Sequence, residues 1–336
     1  MKVLIIHHDK GIMGGAEEVV TQLSNYLVSH GHGVELVFER TPWQLMRGVR
    51  THIKWADIIN VHNFPSTLAS FPTRKPIVWM CNEPPELFTN LKRKPIEAFN
   101  RWWVRKSKMK VIVADEMQAI RFQGIYGAEP RVIPYGIDYK FWSQGRREKT
   151  EVLPGFPNRR LRLLQVGTIT PYKNQIESIC VLNELILEGD IDASLTLVGG
   201  FTDKKYYKEI LDLINYIESD ERFKGRISLL GQQSKEAIRN LYMSHDVLLH
   251  PVDRQGGWLV PFEAMCAGIP VITTPSFTAS DIIEDNKLGV VTNVLSCGVE
   301  RALKEDFSHA GEWVKNNLTW KRFGESMVKV FEEALR

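Results

Sequence analysis

Residues 3–6 form an unbroken apolar run, the pattern of a strand buried on both faces of a parallel sheet. Val19, Leu23, Tyr26 and Leu27 then recur at helical spacing, Gly31 and Gly33 stop that helix, and 34–38 is strand-like again. The alternation continues with strands over 57–61, 77–80 and 111–114 and a helix over 116–126. Residues 144–160 hold Gly145, Pro154, Gly155 and Pro157 among charged residues and read as a linker. Beyond it the pattern predicts strands over 161–166, 194–198, 227–230, 246–250 and 270–273, with helices over 204–217 and 320–335. Strands alternating with helices predict parallel sheets covered on both sides. The expectation is therefore an α/β protein of two Rossmann-like, doubly wound domains, 1–143 and 161–318, facing an interdomain cleft.

Length and composition change this picture little. A chain of 336 residues can bury two cores of ordinary size. The net charge of +3 is too small to point to nucleic acid. Cys81, Cys180, Cys266 and Cys297 are scattered and form no CxxC pair, which suits reduced thiols in the cytoplasm. The apolar run at 3–6 is too short for a signal peptide, and no stretch reaches the ~20 apolar residues of a membrane span.

Candidate chemistry gathers where glycines follow predicted strands, the side on which open α/β sheets bind ligands. Gly14 and Gly15 follow the first strand; Gly167, then Gly199 and Gly200, follow strands of the second domain. The densest stretch begins Gln255-Gly256-Gly257-Trp258-Leu259, continues through Pro261 and Glu263-Ala264-Met265, and ends Gly268-Ile269-Pro270-Val271-Ile272. It reads as a glycine loop, a helix with Pro261 at its first position and Gly268 at its C-cap, and a buried strand. The amides opening such a helix suit an anion. His62 and Glu83 follow strands of the first domain. Asp190-Ile191-Asp192 precedes a strand, at the wrong sheet edge for a metal site, and reads as a turn.

The stretch from Glu263 to Ile272 resembles the signature of the family 4 retaining glycosyltransferases, which have the GT-B fold. The likeness runs along nearly the whole chain, including Val132-Ile133-Pro134-Tyr135-Gly136-Ile137-Asp138. It implies a metal-independent hexosyltransferase without a cofactor. A hexose or N-acetylhexosamine would pass from a nucleoside-diphosphate sugar, UDP favoured over GDP, to a glycan or lipid-linked acceptor. In that resemblance 1–143 binds acceptor, 161–318 binds the nucleotide sugar, and 319–336 crosses back to the first domain. Lys173 would grip the donor diphosphate with Gly167 and Thr168, and Asn82 would stand beside the reacting sugar; these two, Lys173 and Asn82, are the catalytic candidates. Gly200 and Gln232 would line the base and Glu263 the ribose. Gln255 with the Gly256, Gly257, Trp258 and Leu259 amides would hold the hexose. Gly15 would lie near the diphosphate, with Gly14, His62 and Glu83 on the acceptor side. Three positions depart from the family pattern: Gln255 replaces a glutamate, Thr168 an arginine and Asn82 a histidine. Two alternatives remain open, a nucleotide-sugar epimerase on the same fold and a non-catalytic partner protein. Basic residues interleaved with Trp102 and Trp103 between Lys92 and Lys110 suit a helix lying on an anionic membrane, a peripheral position on its inner face.

Overall fold

The computed structural model describes residues 1–8, 14–88, 93–145, 160–253 and 258–336. The chain forms two compact units, one of Met1–Gly136 with Leu318–Arg336, the other of Ile137–Asn317.

The first unit begins β1 (Lys2–His8), α1 (Gly15–Ser29), β2 (Gly33–Glu39), α2 (Pro42–His52), β3 (Ile58–His62), α3 (Ser66–Ala69) and β4 (Ile77–Met80). It continues with α4 (Lys94–Ser107), β5 (Lys110–Val113), α5 (Glu116–Tyr126) and β6 (Arg131–Val132). Local chemistry sets the helix ends. Thr41 caps α2 by accepting from the Gln44 amide with Pro42 at the first position, Asp115 caps α5 through the Gln118 amide, and Gly127 closes α5 in the left-handed region. The strands are parallel in the order β2-β1-β3-β4-β5-β6. Direction reverses between β1 and β3, whose register pairs His7 with His62, so both histidines stand at the sheet's switch point. On one face Leu4, Ile6, Ile59, Val61 and Trp79 pack with Leu45 and Val49 of α2, Trp103 of α4, and Phe122 and Tyr126 of α5.

That packing corrects half of the membrane expectation for α4. Trp103 is 4% exposed and donates its indole N–H to Ser70 Oγ at 3.1 Å, so it is a core residue. Trp102 is 48% exposed and meets the Phe71 ring, while Arg105, Lys106, Lys108 and Lys110 are exposed. Lys92 lies outside the described residues.

The second unit runs α6 (Tyr139–Trp142), β7 (Leu161–Val166), α7 (Gln175–Leu187), β8 (Ala193–Val198), α8 (Lys204–Ile217), β9 (Ile227–Leu229), α9 (Lys235–Ser244) and β10 (Val247–His250). It ends with α10 (Leu259–Ala267), β11 (Val271–Thr273), α11 (Ser280–Asp285), β12 (Val290–Val291), α12 (Leu295–Lys304) and α13 (Ala310–Asn317). Its parallel sheet has the order β12-β11-β10-β7-β8-β9, so the reversal falls between β7 and β10. Asp192 takes Arg160 and Arg226 as ion-pair partners at the start of β8. The chain then returns to the first unit through α14 (Trp320–Leu335), capped by Thr319, which packs on α1, β3 and β4.

Candidate functional site

In the second unit the switch point is built from the ends of β7 and β10. Gly167 follows β7 at φ +153, and the turn after β8 passes so close that a Cβ on Gly199 would lie 2.0 Å from the Gly167 carbonyl oxygen. Side chains are excluded there, which keeps the backbone of the turn open to a ligand. The chain then makes a tight helical turn, Pro171–Lys173, whose last carbonyl accepts from Gln165 Nε2 at 2.7 Å. This turn directs Lys173 back over Gly167: a Cβ on that glycine would be 3.3 Å from Lys173 Cε. Lys173 is 7% exposed and makes no hydrogen bond through its ammonium among the described residues. Burial lowers its pKa to about 7, against the opposing pull of the Glu263 carboxylate. The Thr168 carbonyl accepts from Gln175 Nε2 at 3.2 Å, which orders the turn, and Thr168 itself is half-buried.

Beyond β10 the helix α10 starts at Leu259 with Trp258 as N-cap. Pro261 is thus third in the helix and not first as the sequence suggests. It still falls in the opening turn, where a missing N–H costs no helical hydrogen bond. Gly268 closes the helix at φ +82, as expected of a C-cap. Glu263 is half-buried and accepts from the Tyr242 hydroxyl at 3.4 Å. Trp258 is fully buried edge-on against Phe262 at 4.8 Å, a packing position for its side chain. Gly200 accepts from the Ile169 amide at 2.8 Å and Gln232 is exposed past β9. Gln255, Gly256 and Gly257 lie outside the described residues.

The first unit holds a separate polar cluster at its own switch point. His62 is wholly buried, its Nε2 at 2.8 Å from Asn60 Oδ1 and its Nδ1 at 3.0 Å from Asn82 Nδ2. Those partners require Nε2 to donate and Nδ1 to accept, and burial holds the ring's pKa well below the usual histidine value. Asn82 Oδ1 accepts from the buried Tyr135 hydroxyl at 2.7 Å, and the Asn82 amide N–H donates to Asn63 Oδ1 at 2.8 Å. His7 meets Glu17 at 3.1 Å. Gly14 caps α1, and a Cβ there would come 3.1 Å from Glu17 Oε2; Gly15 is the first residue of the helix. Glu83 is half-buried, its carbonyl accepting from Gln118 Nε2 at 3.3 Å. The structure thus brings Asn82 and His62 together. It also joins Tyr135 to them, and Tyr242 to Glu263, contacts that spacing along the chain does not reveal.

The family profile described as Glycosyl transferases group 1 matches residues 147–317, just over half of the chain. The chain belongs to that family. Among relatives of this group 1 transferase chain is the lipopolysaccharide glucosyltransferase WaaG of Escherichia coli (strain K12), 27% identical over 205 residues that cover 58% of this chain and 51% of WaaG. The chain spans about half the length of that relative, and 40% of the D-inositol 3-phosphate glycosyltransferase of Mycolicibacterium smegmatis, to which it is 23% identical over 53% of its own length. In three dimensions it resembles Anabaena HepE in complex with UDP and glucose, with a TM-score of 0.77 and 17% identity over 99% of this chain and 100% of that one. Sucrose-phosphate synthase of Thermosynechococcus elongatus superposes with a TM-score of 0.80 at 16% identity, over 99% of this chain and 98% of that one. These likenesses establish the GT-B fold. The profile falls wholly within the second unit, the one that carries Lys173, Thr168 and Glu263.

Proposed function

We propose that the chain is a retaining, metal-independent glycosyltransferase that moves a hexose or N-acetylhexosamine from a nucleoside-diphosphate sugar to a glycan or lipid-linked acceptor. The observation that carries this reading is Lys173, a buried ammonium at the β7–β10 switch point with no hydrogen bond of its own among the described residues. An isolated buried cation is costly unless an anion completes it. A donor diphosphate supplies that anion, and its negative charge grows as the sugar–oxygen bond breaks. Thr168 adds a hydroxyl where the family pattern has an arginine, and the first amides of α10 add a partial positive pole. Glu263, steadied by Tyr242, is the candidate for the ribose hydroxyls. UDP is the preferred nucleotide, in keeping with HepE bound to UDP and glucose.

In transfer the acceptor oxygen bonds to the anomeric carbon as the diphosphate departs, and the acceptor's proton leaves with the phosphate oxygen. The first unit would then hold acceptor near Gly14, His62 and Glu83. Asn82 is better read as a positioning residue than as a direct donor, because both ends of its amide are engaged by His62 and Tyr135. The same network speaks against an epimerase: His62 has both ring nitrogens bonded and stays neutral, a poor acid–base group. A peripheral membrane position, in line with the word lipopolysaccharide in the name of WaaG, would use Trp102 and the exposed basic residues of α4. The deciding experiment is a thermal-shift screen of nucleotide sugars followed by transfer and hydrolysis assays with and without chelator. Stabilisation by a UDP-sugar with chelator-resistant turnover supports the reading. A strict requirement for Mg²⁺ or Mn²⁺, or no response to any nucleotide sugar, defeats it.

A further inference from the structure

His250 ends β10 and is 1% exposed, yet neither ring nitrogen has a hydrogen-bond partner among the described residues. A neutral imidazole carries one N–H donor and one lone pair, and leaving buried polar atoms unmet destabilises a fold by about 1–3 kcal/mol each. The backbone around the ring is well held: the His250 carbonyl accepts from Thr273 Oγ1 at 3.0 Å, and Phe277 meets the ring edge-on at 4.9 Å. The ring is therefore fixed in place while its polar atoms stay open. β10 pairs with β7 in parallel, Leu248 opposite Leu164, so His250 falls beside the end of β7, where Lys173 folds back over Gly167. Two buried basic side chains thus share the switch point, and neither is satisfied by the other groups described.

We infer that His250 is a positioning residue for the donor, its imidazole lone pair holding the Lys173 ammonium toward the diphosphate. The inference rests on reading Lys173 as the diphosphate ligand. An ammonium has three N–H donors, and phosphate oxygens arriving from one side leave at least one of them facing protein. A second positive charge would repel the lysine. Burial and the nearness of Lys173 both hold His250 below the usual histidine range, so it meets the ammonium as a neutral acceptor. Among the described residues the charged group that acts on Lys173 is Glu263 of α10, bonded to Tyr242 of α9, and Asp253 lies close in the chain fold, its amide donating to the carbonyl of the adjacent Tyr172 at 2.9 Å. Arg254 lies outside the described residues.

The test is UDP affinity by calorimetry between pH 6 and 9 in the full chain and in H250L, H250Q and K173M. In the parent, affinity falls as pH rises through the lysine's midpoint. H250L removes the acceptor that meets the ammonium in the complex, so UDP binding weakens about tenfold where the lysine is charged, at the low-pH end of the profile, while the midpoint stays in place. H250Q keeps an acceptor oxygen and restores most of the parent profile. An H250L profile that superposes on the parent's overturns the inference, as does an H250Q profile no closer to the parent than H250L. Should H250L not fold, the ring-nitrogen NMR signals of His250 decide: a shift on adding UDP at pH 8 supports the contact, and unmoved signals overturn it. Failure of the underlying reading is distinguishable, because K173M would then bind UDP as the parent does.

Discussion

Lys173 links stability to function at the scale of one residue. Its pKa falls from 10.5 to about 7, chiefly through burial, so between those values the unfolded chain binds a proton that the folded chain does not. Stability therefore rises with pH across that window, and the burial cost is fully present below it. The prediction is that K173M raises the melting temperature, and that its gain is larger at pH 6 than at pH 9 by on the order of 2 kcal/mol. Denaturant titrations at the two pH values measure this, and an equal gain at both contradicts a lysine held near neutrality. The same residue should be missed in catalysis. K173A is expected to slow transfer by roughly 10²-fold, the usual cost of one electrostatic donor to a leaving group. A raised Michaelis constant with unchanged turnover would instead make Lys173 an anchor for the donor ground state.

At the scale of elements, glycines and tryptophans decide how neighbours fit. Gly136 lies where the chain passes the start of α14: a Cβ there would be 2.2 Å from the Trp320 amide nitrogen and 2.6 Å from the Thr319 carbonyl carbon. Backbone cannot yield as a side chain does, so G136A is predicted to destabilise the first unit by about 2 kcal/mol or more, read as a drop in melting temperature. On α4 the two adjacent tryptophans should separate cleanly. W103S empties a core site that also gives Ser70 its N–H partner, and should cost about 3–5 kcal/mol. W102S should leave stability nearly intact and reduce recovery with anionic vesicles; unchanged recovery would remove α4 from any membrane contact. The adjacency explains why composition alone misjudged the pair, since neighbours on a helix point about 100° apart and only packing says which faces the sheet. Strand runs, the α5, α8 and α14 spans and the glycine turns were readable because buried parallel strands are continuously apolar and their ends need bare backbone. α2 was not, since only Leu45 and Val49 of its eleven residues are buried. The network of His62, Asn82 and Tyr135 was equally hidden, because it ties residues 20 and 53 positions apart and each looks ordinary in its own segment.

At the scale of the whole molecule, the candidate donor groups and the candidate acceptor groups belong to different compact units. Lys173, Thr168, His250, Tyr242 and Glu263 all lie within Ile137–Asn317, and His7, Glu17, His62, Asn82 and Tyr135 all lie within Met1–Gly136. Each unit has its own parallel sheet, its own switch point and its own core. A nucleotide held by the second unit alone should therefore stabilise that unit selectively. Binding to the native state adds RT ln(1 + [L]/Kd), about 2.7 kcal/mol at a hundredfold excess over Kd. The prediction is that UDP slows hydrogen exchange in peptides covering the ends of β7 and β10 and the start of α10, while peptides of β1, β3 and β4 keep their rates. Adding an acceptor should then slow exchange around His62 and Asn82. Mass spectrometry of the exchanging chain, with and without UDP, reads both steps. Protection by UDP that is confined to the first unit would assign the nucleotide to the wrong sheet and remove Lys173 from the donor site. Equal protection of both sheets by UDP alone would mean that the nucleotide is held by the two units together, and that the division of donor and acceptor groups between them does not extend to binding.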